Sequence, residues 1–399
     1  MEAYLDNGAT TKVSDKVKDV MVKVLCEDYG NPSSLHGKGL DAEKYITDTR
    51  KTIADSLKVD PKEIVFTSGG TESNNLALIG AAMAYKRSGN HIITTEIEHP
   101  SIHNPLLLLE EMGFRISYLP VDEYGQVNAD ELIREVCDET ILVSIMYVNN
   151  EIGAVQDISA LSESVKKKNP NIIFHVDAIQ AYGKYRIFPR KMGIDLLSVS
   201  GHKIHGPKGI GALYIRNKVK MKPVLFGGGQ EKGMRSGTEN VPGIAGLGAA
   251  VKEIYTDHDA KIKRLYELKK GFIQGVGEIP NTIVNGIGKK DDLTDTAPHI
   301  ISVSFSGIRS EVLLHALEER NVYVSAGSAC SSNHPQLSRT LMAIGVKKEL
   351  LDSTIRFSLS VNTTKEELEY ALGVLREVVP VLRRYSRHPM KSSGGSSDV

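Results

Sequence analysis

Three short segments of this sequence concentrate residue types that bind anions, hold protonated nitrogens and attack carbonyls. The first is Phe66-Thr67-Ser68-Gly69-Gly70-Thr71-Glu72-Ser73-Asn74-Asn75, small residues between an apolar run and a helical pattern. Backbone N–H groups at such a helix start, together with Ser and Thr hydroxyls, form an anion site, and paired glycines let a phosphate come close. The plain alternative is a strand-to-helix turn capped by Thr71 or Ser73. The second is Asp177-Ala-Ile-Gln180, directly after the apolar run 172–176. An acid there sits where open α/β sheets place their ligands, and it either holds a protonated nitrogen or caps a helix. The third is Ser200-Gly201-His202-Lys203, running into Gly206-Pro207-Lys208-Gly209. A packed lysine that loses its proton attacks carbonyls, whereas a solvated loop lysine does nothing of the kind, and spacing alone does not separate Lys203 from Lys208.

A phosphate cradle, an acid for a ring nitrogen and a carbonyl-condensing lysine are jointly what pyridoxal 5'-phosphate requires. Nucleotide binding is the weaker phosphate reading, because no G-x-x-x-x-G-K-[ST] occurs and no G-x-G-x-x-G stands between a strand and a helix. A fourth segment, Ser325 to His334, is too small and polar to pack a core yet contains Cys330. A thiol among Ser and Gly is expected to be exposed and able to react as thiolate. Cys26 and Cys137 lie in amphipathic helical patterns and are expected in the core. Three widely separated cysteines without a C-x-x-C pair argue against a disulfide framework and a zinc cluster.

The elements that must position these residues follow from periodicity. Runs at 64–67, 91–95, 116–119, 141–148, 172–176, 196–200 and 210–215 read as strands, and 75–87, 101–112, 129–137 and 158–168 as crossover helices. The class is therefore α/β, with a mainly parallel seven-stranded sheet covered on both faces and a smaller α+β C-terminal unit. A long helical pattern over 243–274 leads to further strands at 300–305, 322–324 and 355–359 and helices at 311–319 and 365–384. The expected division is a large domain over 15–260, a small one formed by 1–14 and 261–388, and a tail over 389–399.

The 399 residues are 41% hydrophobic and 25% charged, as in globular proteins. Lys plus Arg (49) equals Asp plus Glu (49), so no basic field invites nucleic acid. No apolar run is long enough to span a bilayer and the N-terminal residues lack signal-peptide character, so a cytoplasmic protein is expected.

The segments resemble the cysteine desulfurases of the NifS/IscS type, group I, among the fold-type I pyridoxal-phosphate enzymes of aminotransferase class V. The resemblance runs from Tyr4-Leu-Asp-Asn-Gly-Ala-Thr-Thr11 and Tyr29-Gly-Asn-Pro-Ser-Ser-Leu-His36 through Glu98-His99, Val148-Asn-Asn-Glu-Ile-Gly153 and the segments above. It continues through Gly227-Gly-Gly-Gln-Glu231, Arg235-Ser-Gly-Thr-Glu-Asn240 and Gly327-Ser-Ala-Cys330 to Ile355-Arg-Phe-Ser358.

The resemblance implies that Lys203 condenses with the cofactor aldehyde, Asp177 pairs with the ring nitrogen, His99 stacks on the ring and Gln180 contacts the ring hydroxyl. Gly70, Thr71, Ser200 and His202 would hold the phosphate, with Thr238 reaching the phosphate of a neighbouring subunit in a homodimer. Asn31, Asn150 and Arg356 would bind L-cysteine, Arg356 through its carboxylate. Cys330 would take the sulfur as a persulfide, leave L-alanine, and pass the sulfur to an acceptor such as an iron–sulfur scaffold or a tRNA-thiolation protein. No role is implied for the backbone around Gly8. The competing readings are an aminotransferase or selenocysteine lyase and, from a different class, a non-catalytic sulfur-transfer subunit.

Overall fold

The computed structural model describes residues 1–287, 293–326 and 337–386. Along the chain come β1 (Ala3–Tyr4), α1 (Asp15–Cys26), α2 (Gly37–Leu57), β2 (Ile64–Thr67), α3 (Gly70–Tyr85), β3 (His91–Thr95), α4 (Pro100–Glu111) and β4 (Arg115–Leu119). Then follow α5 (Ala129–Glu135), β5 (Thr140–Met146), α6 (Ile158–Lys168), β6 (Ile173–Asp177), β7 (Leu196–Ser200), β8 (Gly211–Ile215), α7 (Val241–Tyr255) and α8 (His258–Gly277). The last are β9 (Thr282–Asn285), β10 (Ile300–Phe305), α9 (Ser310–Glu318), β11 (Val322–Tyr323), β12 (Ser325–Ala326), α10 (Arg339–Ala343), α11 (Lys348–Leu351), β13 (Thr354–Ser358) and α12 (Lys365–Ser386).

Seven strands form one sheet in the order β2-β8-β7-β6-β5-β3-β4, parallel except that β8 runs against both of its neighbours. Successive residues face opposite sides of a strand, so a sheet covered on both sides needs unbroken apolar runs. Val143, Phe174, Leu197 and Ala212 join one core with α1, α2, α6 and α7, and their neighbours Leu142, Ile173, Leu196 and Leu213 join a second with α3 and α4. This explains why the strands were legible as continuous hydrophobic stretches. The carboxyl ends of β2, β3, β5, β6 and β7 share one edge, and the first three segments singled out above leave from there.

A separate core lies between the antiparallel sheet β12-β13-β10-β9 and helices α8, α9 and α12, centred on Phe272, Phe305 and Phe357. Ala3 and Leu5 belong to this core, because β1 pairs with β11. The N-terminal segment thereby passes close to β13, with Asp6 bridging Ser358.

Three expectations change. The single helix over 243–274 is two: Thr256 is extended and Asp257 takes a left-handed φ of 50°, between α7 and α8. The break is where the chain changes cores, Leu247 and Val251 packing on the large sheet while Leu265 and Phe272 pack on the small one. The helix expected from residue 75 begins at Gly70, so the glycines lie at its head. Cys26 is exposed and Cys137 is partly exposed, neither in a core. Val17 and Val24 make the buried stripe of α1, and Cys26 falls off it.

Candidate active site

The carboxyl end of β6 carries Asp177, only 4% exposed. Its Oδ1 accepts from the N–H of Ile179 (2.9 Å) and its Oδ2 from Asn74 Nδ2 (2.9 Å). Asn74 also donates to Ser101 Oγ (2.8 Å), which lies 2.8 Å from His99 Nδ1. A buried chain of hydrogen bonds thus ties the acid to the imidazole across α3 and the head of α4. His99 Nδ1 accepts from the N–H of Ser101 (3.1 Å), so a neutral ring carries its proton on Nε2. Burial lowers the His99 pKa and raises that of Asp177, against smaller opposing effects of each on the other.

Lys203 follows β7 in a 3₁₀ turn. Its Nζ donates to the carbonyls of Gly8 (2.5 Å) and Ala9 (2.7 Å), and its charge is felt at both Asp177 and His99. The Gly8 carbonyl also accepts from Gln180 Nε2 (2.9 Å), whose Oε1 meets His299 Nε2 (3.1 Å). The N-terminal backbone, for which the sequence suggested no role, therefore supplies the acceptors of the lysine amine. A Cβ on Gly8 would lie 3.0 Å from Ser358 Oγ and 3.4 Å from Arg356 Cζ, so glycine permits this approach.

Arg356, on β13, reaches the same edge. Its guanidinium donates to the Asn150 carbonyl (2.8 Å), to Asp6 Oδ1 (3.0 Å) and to Ser325 Oγ (3.0 Å). Its Nε is buried without a partner. Asn150 thus contributes its backbone. His202 places its Nδ1 3.3 Å from Thr10 Oγ1, and burial lowers its pKa to about 4. Asn31 is exposed, with its side chain accepting from the N–H of Ser33 (2.9 Å), and no hydrogen bond joins it to the cluster among the described residues. Thr71 and Thr238 are exposed. Cys330 lies outside the described residues.

A family model, aminotransferase class-V, matches residues 3–371. A cysteine desulfurase IscS of Methanosarcina thermophila is 44% identical over 383 residues, 96% of this chain and 93% of that one. The chain belongs to the cysteine desulfurases of aminotransferase class V. Among solved structures, a NifS-like protein superposes with a TM-score of 0.89 at 38% identity, covering 96% of this chain and all of that one. SspA in complex with cysteine does so with a TM-score of 0.78 at 34% identity, over 91% and 100%.

Cysteine desulfurases of this class depend on pyridoxal 5'-phosphate. The residues present fit that group on three observations. First, Ser200 Oγ is buried without a partner beside the head of α3, where the first-turn N–H groups have no intrahelical acceptor. Second, a Cβ on Gly70 would displace the Ile179 side chain, meeting its Cδ1 at 2.2 Å and its Cγ1 at 2.9 Å, so glycine lets the helix head lie close against the turn behind Asp177. Third, among the described residues no cation pairs with the buried Asp177, and a protonated ring nitrogen would be its counter-ion.

Asn74 and Ser101 are the site residues that residue-type reasoning passed over. Their signal was weak, because a buried amide and a helix-capping serine carry no reactivity of their own. Only the network shows their use.

Proposed function

We propose that this desulfurase converts L-cysteine to L-alanine at the edge described, delivering the sulfur to Cys330 as a persulfide. The observation that carries the reading is the buried path from Asp177 through Asn74 and Ser101 to His99, within electrostatic reach of Lys203. Bound cofactor would supply an electron sink that labilises the Cα proton and the β carbon–sulfur bond of the substrate. Asp177 would hold the protonated ring nitrogen, His99 would stack on the ring, and Gln180 would contact its hydroxyl. Gly70, Thr71, Ser200 and His202 would hold the phosphate.

Lys203 then accepts the Cα proton at Nζ and returns it. Arg356 takes the substrate carboxylate, because its fork makes charge-assisted bonds and its buried Nε lacks an acceptor. Asn150 and Asn31 border that carboxylate. The Cys330 thiolate attacks the substrate sulfur; the sulfur–sulfur bond forms as the carbon–sulfur bond breaks, and alanine leaves.

The two apolar cores correspond in this reading to a cofactor domain over 15–260 and a small domain of 1–14 and 261–388. Thr238, exposed here, serves a second copy of the chain in a homodimer. No helix of the described residues is long and apolar enough to cross a membrane, which accords with work in the cytoplasm. The persulfide passes its sulfur to a protein acceptor, an iron–sulfur scaffold or a tRNA-thiolation protein.

The test is incubation of the holoenzyme with cysteine and a reductant, with alanine and sulfide measured in parallel. Equal amounts of both, together with a persulfide mapped to Cys330 in reductant-free samples, are expected. Undiminished alanine formation by Cys330→Ala refutes the persulfide route and favours a lyase, whereas a keto acid in place of alanine would mark an aminotransferase.

A further inference from the structure

The turn that follows Asp177 carries a second lysine that the reading above leaves unused. Lys184 is 8% exposed, and its Nζ donates to the main-chain carbonyl of Lys203 at 2.6 Å. The approach is built into the backbone. Gly183 has φ +80°, and a Cβ on it would lie 2.8 Å from Ile204 Cγ2, so glycine lets the turn close on the residue next to Lys203. The Gly183 N–H is held by Tyr255 Oη (3.2 Å), which fixes the turn from α7.

Lys184 and Lys203 line one small cavity with Asn7, Thr11, His205 and His299, and no carboxylate lines it among the described residues. The titratable and charged groups around the pair are His202, His205 and Lys208 from the turn after β7, Glu253 from α7, Lys261 and Lys269 from α8, His299 from the residue before β10, Arg356 from β13, and Asp177 and His99 from the site itself. Burial, with a smaller contribution from the Lys203 charge, lowers the Lys184 pKa to about 7. Burial likewise lowers the pKa of His202, His205 and His299, and the Lys184 charge adds to this at each.

An amine attacks a carbonyl efficiently only when the backbone that carries it is held in register with the target. We propose that Lys184 is a positioning residue for Lys203: its Nζ clamps the Lys203 carbonyl and so fixes the turn that presents the amine. This rests on Lys203 being the lysine that takes the cofactor.

Substitution separates the clamp from simple packing. Lys184→Met keeps the bulk and removes the donor, whereas Lys184→Arg keeps a donor. The readout is the second-order rate at which apoprotein combines with pyridoxal 5'-phosphate, followed by absorbance at one fixed pH, beside the thermal midpoint of the apoprotein. In Lys184→Met the rate is expected to fall about tenfold. Lys184→Arg recovers most of it at an equal thermal midpoint.

An unchanged rate in Lys184→Met overturns the proposal. So does a Lys184→Arg variant as slow as Lys184→Met. Lys184→Ala stands in for Lys184→Met should that variant fail to fold, and a wild-type rate in it overturns the proposal likewise. Borohydride reduction followed by peptide mapping separates this from the underlying reading: cofactor fixed to a lysine other than Lys203 refutes the site assignment, not the role of Lys184.

Discussion

The edge of the large sheet and the core of the small one are built on opposite terms. Around Phe272, Phe305 and Phe357 the rings pack against one another, with centroids 5.0 and 6.4 Å apart, and apolar side chains fill the space. Near Asp177, by contrast, Asn74 Oδ1, Ser200 Oγ, His299 Nδ1 and Arg356 Nε are all buried without partners. Each such atom has lost water and gained nothing, at a cost of roughly 1–3 kcal/mol. Stability is concentrated in one region and unspent polarity in the other. Unsatisfied groups gathered at one place mark a surface shaped for something that binds there.

Buried lysines show the same contrast. Lys269 is fully buried and donates to Thr296 Oγ1 and the Ala297 carbonyl, both at 2.7 Å, so it staples α8 to the segment before β10. Lys203 is held by two carbonyls at the opening of the site instead. The largest expected effect follows from this difference. Lys203→Ala should lower the rate of alanine formation by at least ~10³-fold, while the unfolding midpoint of the apoprotein stays level or rises. A variant that keeps a tenth of the wild-type rate would place the proton transfer elsewhere.

Phe357→Ala probes the other side of the comparison. Truncating a fully buried phenylalanine leaves a cavity, and stability should fall by about 3–5 kcal/mol in denaturant titrations. Well below its unfolding transition the variant should keep the cofactor absorbance maximum of the wild type. A shifted maximum would mean that the packing of the small core reaches the site.

How much of this was legible follows from the same division. The large-sheet strands were readable because both faces are covered, which forces continuous apolar runs. Lys203, Asp177 and Gly70 stood out as candidates because of their types at strand ends, but a helix cap accounted for Asp177 as well and spacing did not separate Lys203 from Lys208, so their roles came from the resemblance. Helices α1 and α2 escaped notice because most of their residues face solvent, with narrow buried stripes at Val17 and Val24 and at Ala42, Ile46 and Ile53. The role of the Gly8 and Ala9 carbonyls could not be read, since every residue has a carbonyl and these two are brought to the amine by the pairing of β1 with β11, the bridge of Asp6 to Ser358 and the hydrogen bonds of Gly8 to Ser358 and of Thr11 to His202. Nor could the split between α7 and α8, because a helix that changes cores keeps its periodicity on both sides of the break.

Glu98 sharpens the polar side of the contrast through pH. Its Oε1 accepts from the Met146 N–H and from Thr95 Oγ1, both at 2.8 Å, while its Oε2 is buried without a partner. Burial pushes its pKa up to about 8. A carboxyl whose folded pKa lies above the unfolded value of about 4.3 contributes stability that is fully present below that value and is lost as pH rises through about 8. Between pH 5 and 8 the wild type should therefore lose stability relative to Glu98→Gln, by about 3–4 kcal/mol. Parallel curves of unfolding free energy against pH for the two proteins would show that the carboxyl is ionised in the folded state throughout.

The smallest effect is expected where the two regions meet. Arg186, in the turn beyond Asp177, contacts Asp259 on α8 through Nε (3.2 Å) and Nη2 (3.1 Å). The contact looks like a strap between the site and the second core. Yet the Asp259 side chain is 82% exposed and that of Arg186 50%, so water and salt screen the pair, and holding two mobile side chains offsets the attraction that remains. The hydrogen bond to His258, with that to Arg186 second, holds the Asp259 carboxyl below its ordinary value, but a shift at so exposed a group adds little to the folded state. Asp259→Asn should leave the thermal midpoint unchanged at 0.15 M salt and the rate of alanine formation unaltered. A clear drop in either, larger at low salt, would mean that charge at this junction governs how the small core is carried against the site. Apolar packing under Leu265 and Leu359, both buried and both lining the cavity that Lys184 shares with Lys203, would then be the lesser force.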